Sequence, residues 1–266
     1  MLRRRFGERR VGHSGTLDPG ATGLLLVGVG SLTRALRFLT DLPKTYTGEV
    51  VLGVETSTLD ADGEVVARHD MAGVRPDDVR AAVDEHLTGP IQQVPPMVSA
   101  LKVGGRRLHE LAREGVEVER QPRPVLVHRF DIESVEGDPL VYRIEVECSS
   151  GTYIRSLAAD LGHLLGGGAH LRNLRRTAIG SFTEADAEPP EVAPLRPPAE
   201  ALRDYTRAEV DSATARLVAH GRVLPAFAGP APWAVIGPDG DLLAVYEPHG
   251  PDGGSAKPSV VLVTNG

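Results

Sequence analysis

Residues 124–150 read PVLVHRFDIESVEGDPLVYRIEVECSS, and this stretch decides the fold class. Two runs rich in branched and aromatic residues, 124–137 and 140–150, lie on either side of a Gly-Asp-Pro turn at 137–139. Alternating apolar and polar residues that flank such a turn predict an antiparallel β-hairpin.

Helical and strand patterns alternate around this hairpin. GTYIRSLAADLGHLLGGG (151–168) carries apolar residues at helical spacing and ends in three glycines, which predicts a helix. RPDDVRAAVDEHLTG (75–89) predicts a second helix, and TYTGEVVLGVET (45–56) and LRNLRRTAIGSF (171–182) predict strands. Helices interleaved with strands that are partly joined by a hairpin predict an α+β domain on an antiparallel or mixed sheet.

The composition changes after residue 183. EADAEPPEVAPLRPPAE (184–200) holds five prolines and five acids, so it predicts a linker or an exposed excursion. Three short strand patterns follow it, separated by turns rich in Gly and Pro, which predict a small β-rich domain. We therefore expect a main domain over 1–185, a linker over 186–204 and a small domain over 205–266.

Bulk properties fit an ordinary globular protein. Of the 266 residues, 41% are hydrophobic, which is enough for a sizeable core. Cys148 is the single cysteine, so no disulfide forms within the chain, and we expect a reducing compartment. No secretory signal pattern follows the basic N-terminus, and the longest apolar run is far shorter than a membrane span, so we expect a cytoplasmic protein with no membrane partner.

The net charge of −7 conceals an uneven distribution. Residues 1–40 hold seven Arg against Glu8 and Asp18, whereas residues 183–211 hold eight acids against three Arg. Local basic faces can bind phosphates while the total charge stays negative. A merely solvated basic surface explains the same pattern, and charge alone does not separate the two.

One glycine-rich stretch, GHSGTLDPGATG (12–23), contains a single carboxylate, Asp18. Its glycines permit tight turns and close approach by a ligand, yet an Asp before Pro is also a common turn or helix cap. GVGSLT (28–33) lacks the third glycine of a dinucleotide loop, and DADG (60–63) predicts a plain turn rather than a calcium loop. The histidines have no paired-ligand spacing, so we predict no metal.

Several separated motifs, spanning roughly residues 8–185, resemble the TruB-type tRNA pseudouridine-55 synthases. The motifs are, in order, GHSGTLDPGATGLLLVGVG, KTYTGEVVLG, VPPMVSALKVGGRRLHELAREG, CSSGTYIRSLAADLG and GGAHLRNLRRTAIGSF. The C-terminal part resembles the small PUA-like RNA-binding domain that many members carry.

The resemblance implies a pseudouridine-synthase fold with a central, largely antiparallel sheet. It implies that a uridine in the T loop of transfer RNA is flipped out and isomerised, with cleavage of the glycosidic bond and reattachment through C5. It also implies that no cofactor, guide RNA or obligate protein partner is needed, and that the partner is the T arm of tRNA.

The resemblance also assigns residues. Asp18 is implied as the catalytic aspartate, acting either as a nucleophile or as a base, and Arg155 as the cation that pairs with it. Tyr46 is implied to stack on the flipped uracil and to help move the C5 proton. The remaining implied roles are a base pocket at Leu174 and Tyr153, space filling near the everted bases by His13, phosphate contacts by Arg172, Arg175 and Arg176, and a supporting acid at Asp60.

One departure from the family pattern motivates an alternative. Members usually begin with a Lys-Pro-x-Gly strand motif, whereas here Met1 falls inside the helix that follows it, and LRRRFGERR (2–10) reads as its last turns. We hypothesise that the true start lies upstream. A catalytically impaired tRNA-binding protein or tRNA-folding chaperone is the alternative if the short N-terminus is real, and a guide-RNA-dependent synthase is a further one.

Overall fold

The computed structural model describes residues 1–99, 101–116 and 118–263. The chain divides into two compact units. The sheet unit comprises Leu17–Leu24 and Pro43–Ile179, and the terminal unit comprises Met1–Thr16, Leu25–Leu42 and Gly180–Gly266. The domain boundaries expected near residues 185 and 204 follow chain order and stay predictions, because this division groups N-terminal segments with the C-terminal ones.

The described strands and helices are as follows. The strands are β1 (Val11–His13), β2 (Thr22–Gly23), β3 (Val27–Val29), β4 (Lys44–Leu52), β5 (Val54–Thr56), β6 (Val65–Arg68), β7 (Gly89–Gln93), β8 (Lys102–Val103), β9 (Arg106–Arg107), β10 (Arg123–Val135), β11 (Asp138–Cys148), β12 (Ala169–Ile179), β13 (Phe182–Thr183), β14 (Thr206–Glu209), β15 (Leu224–Pro225), β16 (Trp233–Ile236), β17 (Leu242–His249) and β18 (Ser255–Val261). The α-helices are α1 (Leu2–Arg5), α2 (Leu36–Asp41), α3 (Pro76–Ala82), α4 (Leu108–Arg113), α5 (Ile154–Leu164) and α6 (Ser212–Ala219). Short 3-10 helices cover Gly30–Ala35, Glu184–Asp186 and Pro198–Leu202, and a π-helical turn, Val83–Leu87, extends α3.

A largely antiparallel sheet forms the centre of the sheet unit. Its strands follow the order β12-β4-β11-β10-β7, and the short strand β2 pairs in parallel with β12. Helices α3 and α5 pack with this sheet around one buried core, which includes Val79, Leu157 and Leu161 from the helices and Val50 and Ile144 from the sheet. The predicted α+β class with a mixed, largely antiparallel sheet is confirmed.

The predicted hairpin over 124–150 is present, with a small correction to its turn. β10 and β11 pair as predicted, but Asp138 already belongs to β11, so the turn is formed by Glu136 and Gly137. Gly137 has φ +83°, a left-handed conformation that glycine adopts at little cost. The sequence pattern puts the turn one residue too late because Pro139 is itself a turn-forming residue, yet here it lies in a strand.

Helix α5 follows the hairpin. It ends at Leu164, with Leu165 as its C-cap residue, and Gly166 takes φ +80°, as the triple glycine predicts. At Gly162 the helix touches the chain that leads into β12, since a Cβ there would lie 2.4 Å from the backbone nitrogen of Ala169. The glycine therefore allows a close helix–strand approach that no side chain permits.

We expect Gly162→Ala to destabilise the protein by about 2–4 kcal/mol. A helical Gly→Ala change normally stabilises by about 1 kcal/mol, but here the overlap with backbone forces α5 away from β12. Chemical denaturation measures the change. Gly73→Ala is the control, because a Cβ at Gly73 meets nothing within 4 Å; equal stability of the two variants would contradict the close-approach argument.

The terminal unit contains the β-rich part predicted near the C-terminus. Its five-stranded sheet has the order β14-β16-β17-β18-β15, and α6, capped by the Asp211 carboxylate at 2.7 Å from the Thr214 nitrogen, packs on it. N-terminal segments belong to the same unit, and within it the Tyr205 hydroxyl donates to the carbonyl of Phe38 at 2.7 Å. The predicted β-rich C-terminal part is confirmed.

Cys148 lies on β11 and is 1% exposed. Burial raises the pKa of its thiol to about 11. We expect no reaction with a disulfide reagent at about pH 8 in the folded protein and full reaction after unfolding, because the thiolate is the reactive form. Rapid labelling without denaturant would contradict this.

In the described ranges, no helix is both long and apolar enough to cross a membrane.

Candidate active site

Asp18 begins a β-turn in the sheet unit. The backbone N–H of Ala21 donates to the Asp18 carbonyl at 2.9 Å and closes the turn. Pro19 holds the second position, where its fixed φ suits a turn. A Cβ on Gly20 would lie 2.7 Å from the Asp62 carboxylate, so the turn also passes close to a neighbouring loop. The turn uses the backbone of Asp18 and leaves its side chain for another partner.

That partner is Arg155 on α5. Its Nε donates to Oδ2 of Asp18 at 2.8 Å and its Nη2 to Oδ1 at 2.9 Å, a two-bond pairing that fixes the direction of the carboxylate. Nη1 and Nη2 also donate to the carbonyls of Thr58 at 2.8 Å and Val98 at 2.9 Å. The Arg155 side chain is 5% exposed and that of Asp18 is 36% exposed. A buried cation therefore presents a partly exposed carboxylate.

Asp60 supplies a second acid to the same guanidinium. Its Oδ2 lies 3.5 Å from Nη1 of Arg155, and its Oδ1 accepts hydrogen bonds from the Thr58 hydroxyl and the Asp62 backbone. The hydroxyl of Thr56 donates to the Asp60 carbonyl at 2.6 Å. These bonds fix the loop between β5 and β6, so that DADG (60–63) is the turn that its sequence predicts.

An open cavity adjoins the ion pair, and its empty space is about 350 Å³ when the open solvent at its mouth is included. Its lining residues are Asp18, Gly20, Ala21, Asp60, Ala61, Asp62, Arg155, Leu171, Arg172, Asn173 and Leu174. The lining combines carboxylates, one buried cation and two leucines. A planar ring with polar edges suits such a mixture, because apolar side chains can cover its face while charged groups meet its edges.

An irregularity in β12 shapes one wall of this cavity. The pairing of β12 with β4 shifts between Arg172 and Arg175, and Asn173 adopts φ +56°. Glu49 on β4 fixes the irregularity, because its carboxylate accepts from Nε of Arg172 at 2.6 Å and from the Asn173 amide at 3.0 Å. Leu174 follows directly and lines the cavity, where the resemblance places a base-packing residue.

Tyr46 lies on β4, with Arg176 of β12 as its partner in the strand pairing. Burial raises the pKa of the Tyr46 phenol above its ordinary value. The Arg176 guanidinium opposes this increase in pKa, and the negative charge of Asp18 adds to it. The phenol is therefore neutral at about pH 7 and has a proton to donate.

Three of the candidates, Tyr46, Tyr153 and His13, are not among the residues that line the cavity. Tyr153 precedes α5, where its backbone N–H donates to the Gln93 side chain at 2.8 Å and its carbonyl accepts from the same amide at 3.0 Å. It is not one of the residues that line the cavity. His13 belongs to the terminal unit, where it is exposed on β1 opposite Val27. The roles implied for all three stay predictions.

The three candidate phosphate contacts differ in exposure. The Arg172 side chain is 38% exposed although it is paired with Glu49. Arg175 is exposed and donates to the Thr22 hydroxyl at 3.1 Å. Arg176 is 1% exposed, so the prediction of a phosphate contact is wrong for this residue: a buried guanidinium offers no surface to RNA.

Sequence reasoning misses the groups that hold these residues in place. The carbonyls of Thr58 and Val98 carry no side-chain signal, since any residue supplies a carbonyl. Glu49 stands in an alternating strand pattern that gives no reason to single it out. Over the described part of the chain, no group of three or more His, Cys, Asp or Glu side chains is arranged to hold a metal ion.

Three family models match the chain. The model of the TruB family pseudouridylate synthase N-terminal domain matches residues 3–154. The tRNA pseudouridylate synthase B C-terminal domain model matches residues 155–192, and the model of the C-terminal part of tRNA pseudouridine synthase II matches residues 205–263.

Two relatives with the same name illustrate the similarity. A protein of Arthrobacter sp. (strain FB24) named tRNA pseudouridine synthase B is 44% identical, with 98% of this chain and 90% of that protein covered. A protein of the same name from Symbiobacterium thermophilum is 48% identical, with coverages of 85% and 77%.

Among solved structures, one of a Cbf5–Nop10–Gar1 complex matches with a TM-score of 0.71 at 23% identity, covering 99% of this chain and 79% of that one. This likeness concerns the fold alone. The pseudouridine-synthase fold predicted from the sequence is confirmed.

Proposed function

The chain belongs to the TruB family of pseudouridylate synthases, and we propose from this premise that it isomerises uridine 55 in the T loop of transfer RNA. The name of these relatives refers to tRNA, and the position within the tRNA is what the motif resemblance implies. The observation that carries the proposal is the Asp18 carboxylate, held by two bonds from Arg155 at the edge of an open cavity.

The reaction needs a directed carboxylate and a pocket for one base. During isomerisation the N1–C1′ bond breaks, a C5–C1′ bond forms, the proton on C5 is lost and N1 gains a proton. This exchange is balanced without an oxidant, reductant or cofactor. Asp18 is the group we assign to the ribose side, as nucleophile at C1′ or as base, since either task requires an ionised and oriented carboxylate.

The other groups receive supporting roles in this proposal. Leu174 packs on the flipped base, and the neutral phenol of Tyr46 handles the proton exchange at C5 and N1. Arg172 and Arg175 carry enough exposed surface to contact phosphates. Asp60 helps Arg155 to keep its direction. Flipping the nucleotide costs a few kcal/mol, which contacts to the T arm must supply.

We propose that bare tRNA is the substrate and that no guide RNA takes part. This proposal is supported by sequence identities of 44% and 48% between this chain and two proteins named tRNA pseudouridine synthase B. The sequence identity to the matching chain of a Cbf5-containing complex is only 23%. The test is tritium release from a tRNA transcript labelled at C5 of uridine, with the purified chain and no other RNA. Release of one tritium per tRNA is expected; no release without an added guide RNA would contradict the proposal.

A further inference from the structure

Arg176 occupies an unusual position for an arginine. It is among the largest fully buried side chains, with 1% exposure, on β12. In the strand pairing, Arg176 is the partner of Tyr46 on β4 and also the partner of Gly23 on β2. One residue thus stands between the strand that carries the active-site tyrosine and the segment that leaves the Asp18 turn.

The contact with β2 is tight and involves both backbone and side chain. The backbone N–H of Leu24 donates to the Arg176 carbonyl at 2.8 Å, and Nε of Arg176 donates to the Leu24 carbonyl at 2.8 Å. Gly23 has φ +99°, and a Cβ there would lie 2.2 Å from the Arg176 carbonyl oxygen. Arg176 therefore holds the segment that leaves the Asp18 turn against β12, next to the pairing of Arg175 with Thr22.

On the β4 side, Arg176 is a neighbour of the Tyr46 phenol. Arg176 and Tyr46 lie directly opposite each other on neighbouring strands, so their side chains are neighbours on one face of the sheet. A hydrogen bond from the Arg176 guanidinium lowers the pKa of the Tyr46 phenol, against the effect of burial. A guanidinium can only donate, so the phenol oxygen accepts this bond. The single phenolic proton must then point in another direction. Because the charge of Asp18 acts on the same phenol, the carboxylate and the hydroxyl belong to one electrostatic neighbourhood.

We propose that Arg176 is a positioning residue for Tyr46. Its guanidinium donates a hydrogen bond to the phenol oxygen and cannot accept one, so it directs the Tyr46 proton toward the base. The same residue aligns Tyr46 with the Asp18 turn. The proposal rests on the proposed function and replaces the phosphate contact that the burial of Arg176 excludes. Arg176 itself touches neither RNA nor the reacting atoms.

The activity test uses single-turnover isomerisation of a T-arm stem–loop by the full chain. We expect Arg176→Met to slow the reaction at least about 30-fold while the Kd for the stem–loop stays within about threefold. The matched control is Arg143→Met, which removes an exposed arginine of β11 in the same sheet and should leave the rate within about threefold. In a Tyr46→Phe background, Arg176→Met should have less than about a threefold further effect. An Arg176→Met rate near that of the wild type, or a full additional loss in the double variant, would overturn the proposal.

A second readout does not depend on activity. The chain has five tyrosines, and NMR with ¹³Cζ-labelled tyrosine follows each phenol through its titration, with Tyr46→Phe identifying the signal. The pKa of Tyr46 should rise in Arg176→Met, because the nearby cation is lost; an unchanged titration would overturn the proposal. If Arg176→Met does not fold, Arg176→Lys decides. Its single ammonium cannot serve both Leu24 and Tyr46, so a reaction slower by about tenfold is expected and a wild-type rate contradicts the proposal.

The two levels of proposal fail in distinguishable ways. If the wild-type chain releases no tritium from tRNA, the proposed function fails, and the Tyr46 titration still reports whether Arg176 acts on the phenol. If the wild type is active but the Arg176 variants react as fast as the Arg143→Met control, the proposed function stands and only the positioning role of Arg176 fails.

Discussion

Asp18→Asn is expected to lower the single-turnover rate of pseudouridine formation by about four orders of magnitude or more, on the scale seen when an essential reacting group is removed. The amide is neutral, so it provides neither a nucleophile nor a base of useful strength. It also turns an N–H₂ group toward the donors of Arg155, which breaks the two-bond pairing described above. The measurement is tritium release under single-turnover conditions.

RNA binding should separate this loss from misfolding. The Asp18 side chain is partly exposed, and its turn is closed by backbone, so we expect the stem–loop Kd to stay within a few-fold of the wild type. Asp70→Asn, the same change at an exposed acid of the sheet unit, is the control and should be fully active. Normal turnover by Asp18→Asn would remove Asp18 from the catalytic role.

Arg155→Met is expected to reduce both stability and activity. The substitution leaves the carbonyls of Thr58 and Val98 without their hydrogen-bond donor. It also removes the cation that lies between the Asp18 and Asp60 carboxylates, so that the two negative charges repel each other. We expect a loss of about 3 kcal/mol in the free energy of unfolding, since buried groups lose charged partners. A loss of about three orders of magnitude in rate is expected because Asp18 no longer has a fixed direction.

Arg155→Lys separates charge from geometry. Lysine keeps the cation but lacks the planar fork, so it should recover part of the stability while the rate stays about 100-fold low. Arg80→Met serves as the control, because the Arg80 side chain is 53% exposed and its pair with Asp77 lies on the surface of α3. A rate within about tenfold of the wild type for either Arg155→Met or Arg155→Lys would contradict the account of the ion pair.

Local sequence patterns predict the elements that depend on local physics. The β10–β11 hairpin and helix α5 follow from alternation and helical spacing, because each buries its own apolar face. The turn at 60–63 follows from its Asp and Gly residues. In contrast, the positive φ of Asn173 and the irregularity it creates in β12 depend on Glu49 in another strand, so no pattern in residues 171–182 predicts them.

The candidate site depends even more on contacts between distant residues, which local sequence patterns do not predict. Asp18 and Arg155 are separated by 137 residues, and spacing alone does not distinguish a catalytic Asp18 from a turn cap. Their pairing follows from the family resemblance and not from periodicity or charge. For Arg176 the sequence predicts a function that the structure does not support, because all three nearby arginines have the pattern of surface cations. Strand pairing places the Arg176 side chain in the interior beside Tyr46, and the distribution of charge along the sequence does not predict this burial.

We propose that the residues beside the cavity, Asp18 and Arg155 foremost, isomerise one uridine of transfer RNA. The most direct test is to incubate the purified chain alone with an unmodified tRNA transcript and to map every pseudouridine in the product. The account predicts a single pseudouridine at position 55, absent when the chain carries Asp18→Asn. A product without pseudouridine at position 55, or one modified there equally by the Asp18→Asn variant, would contradict it.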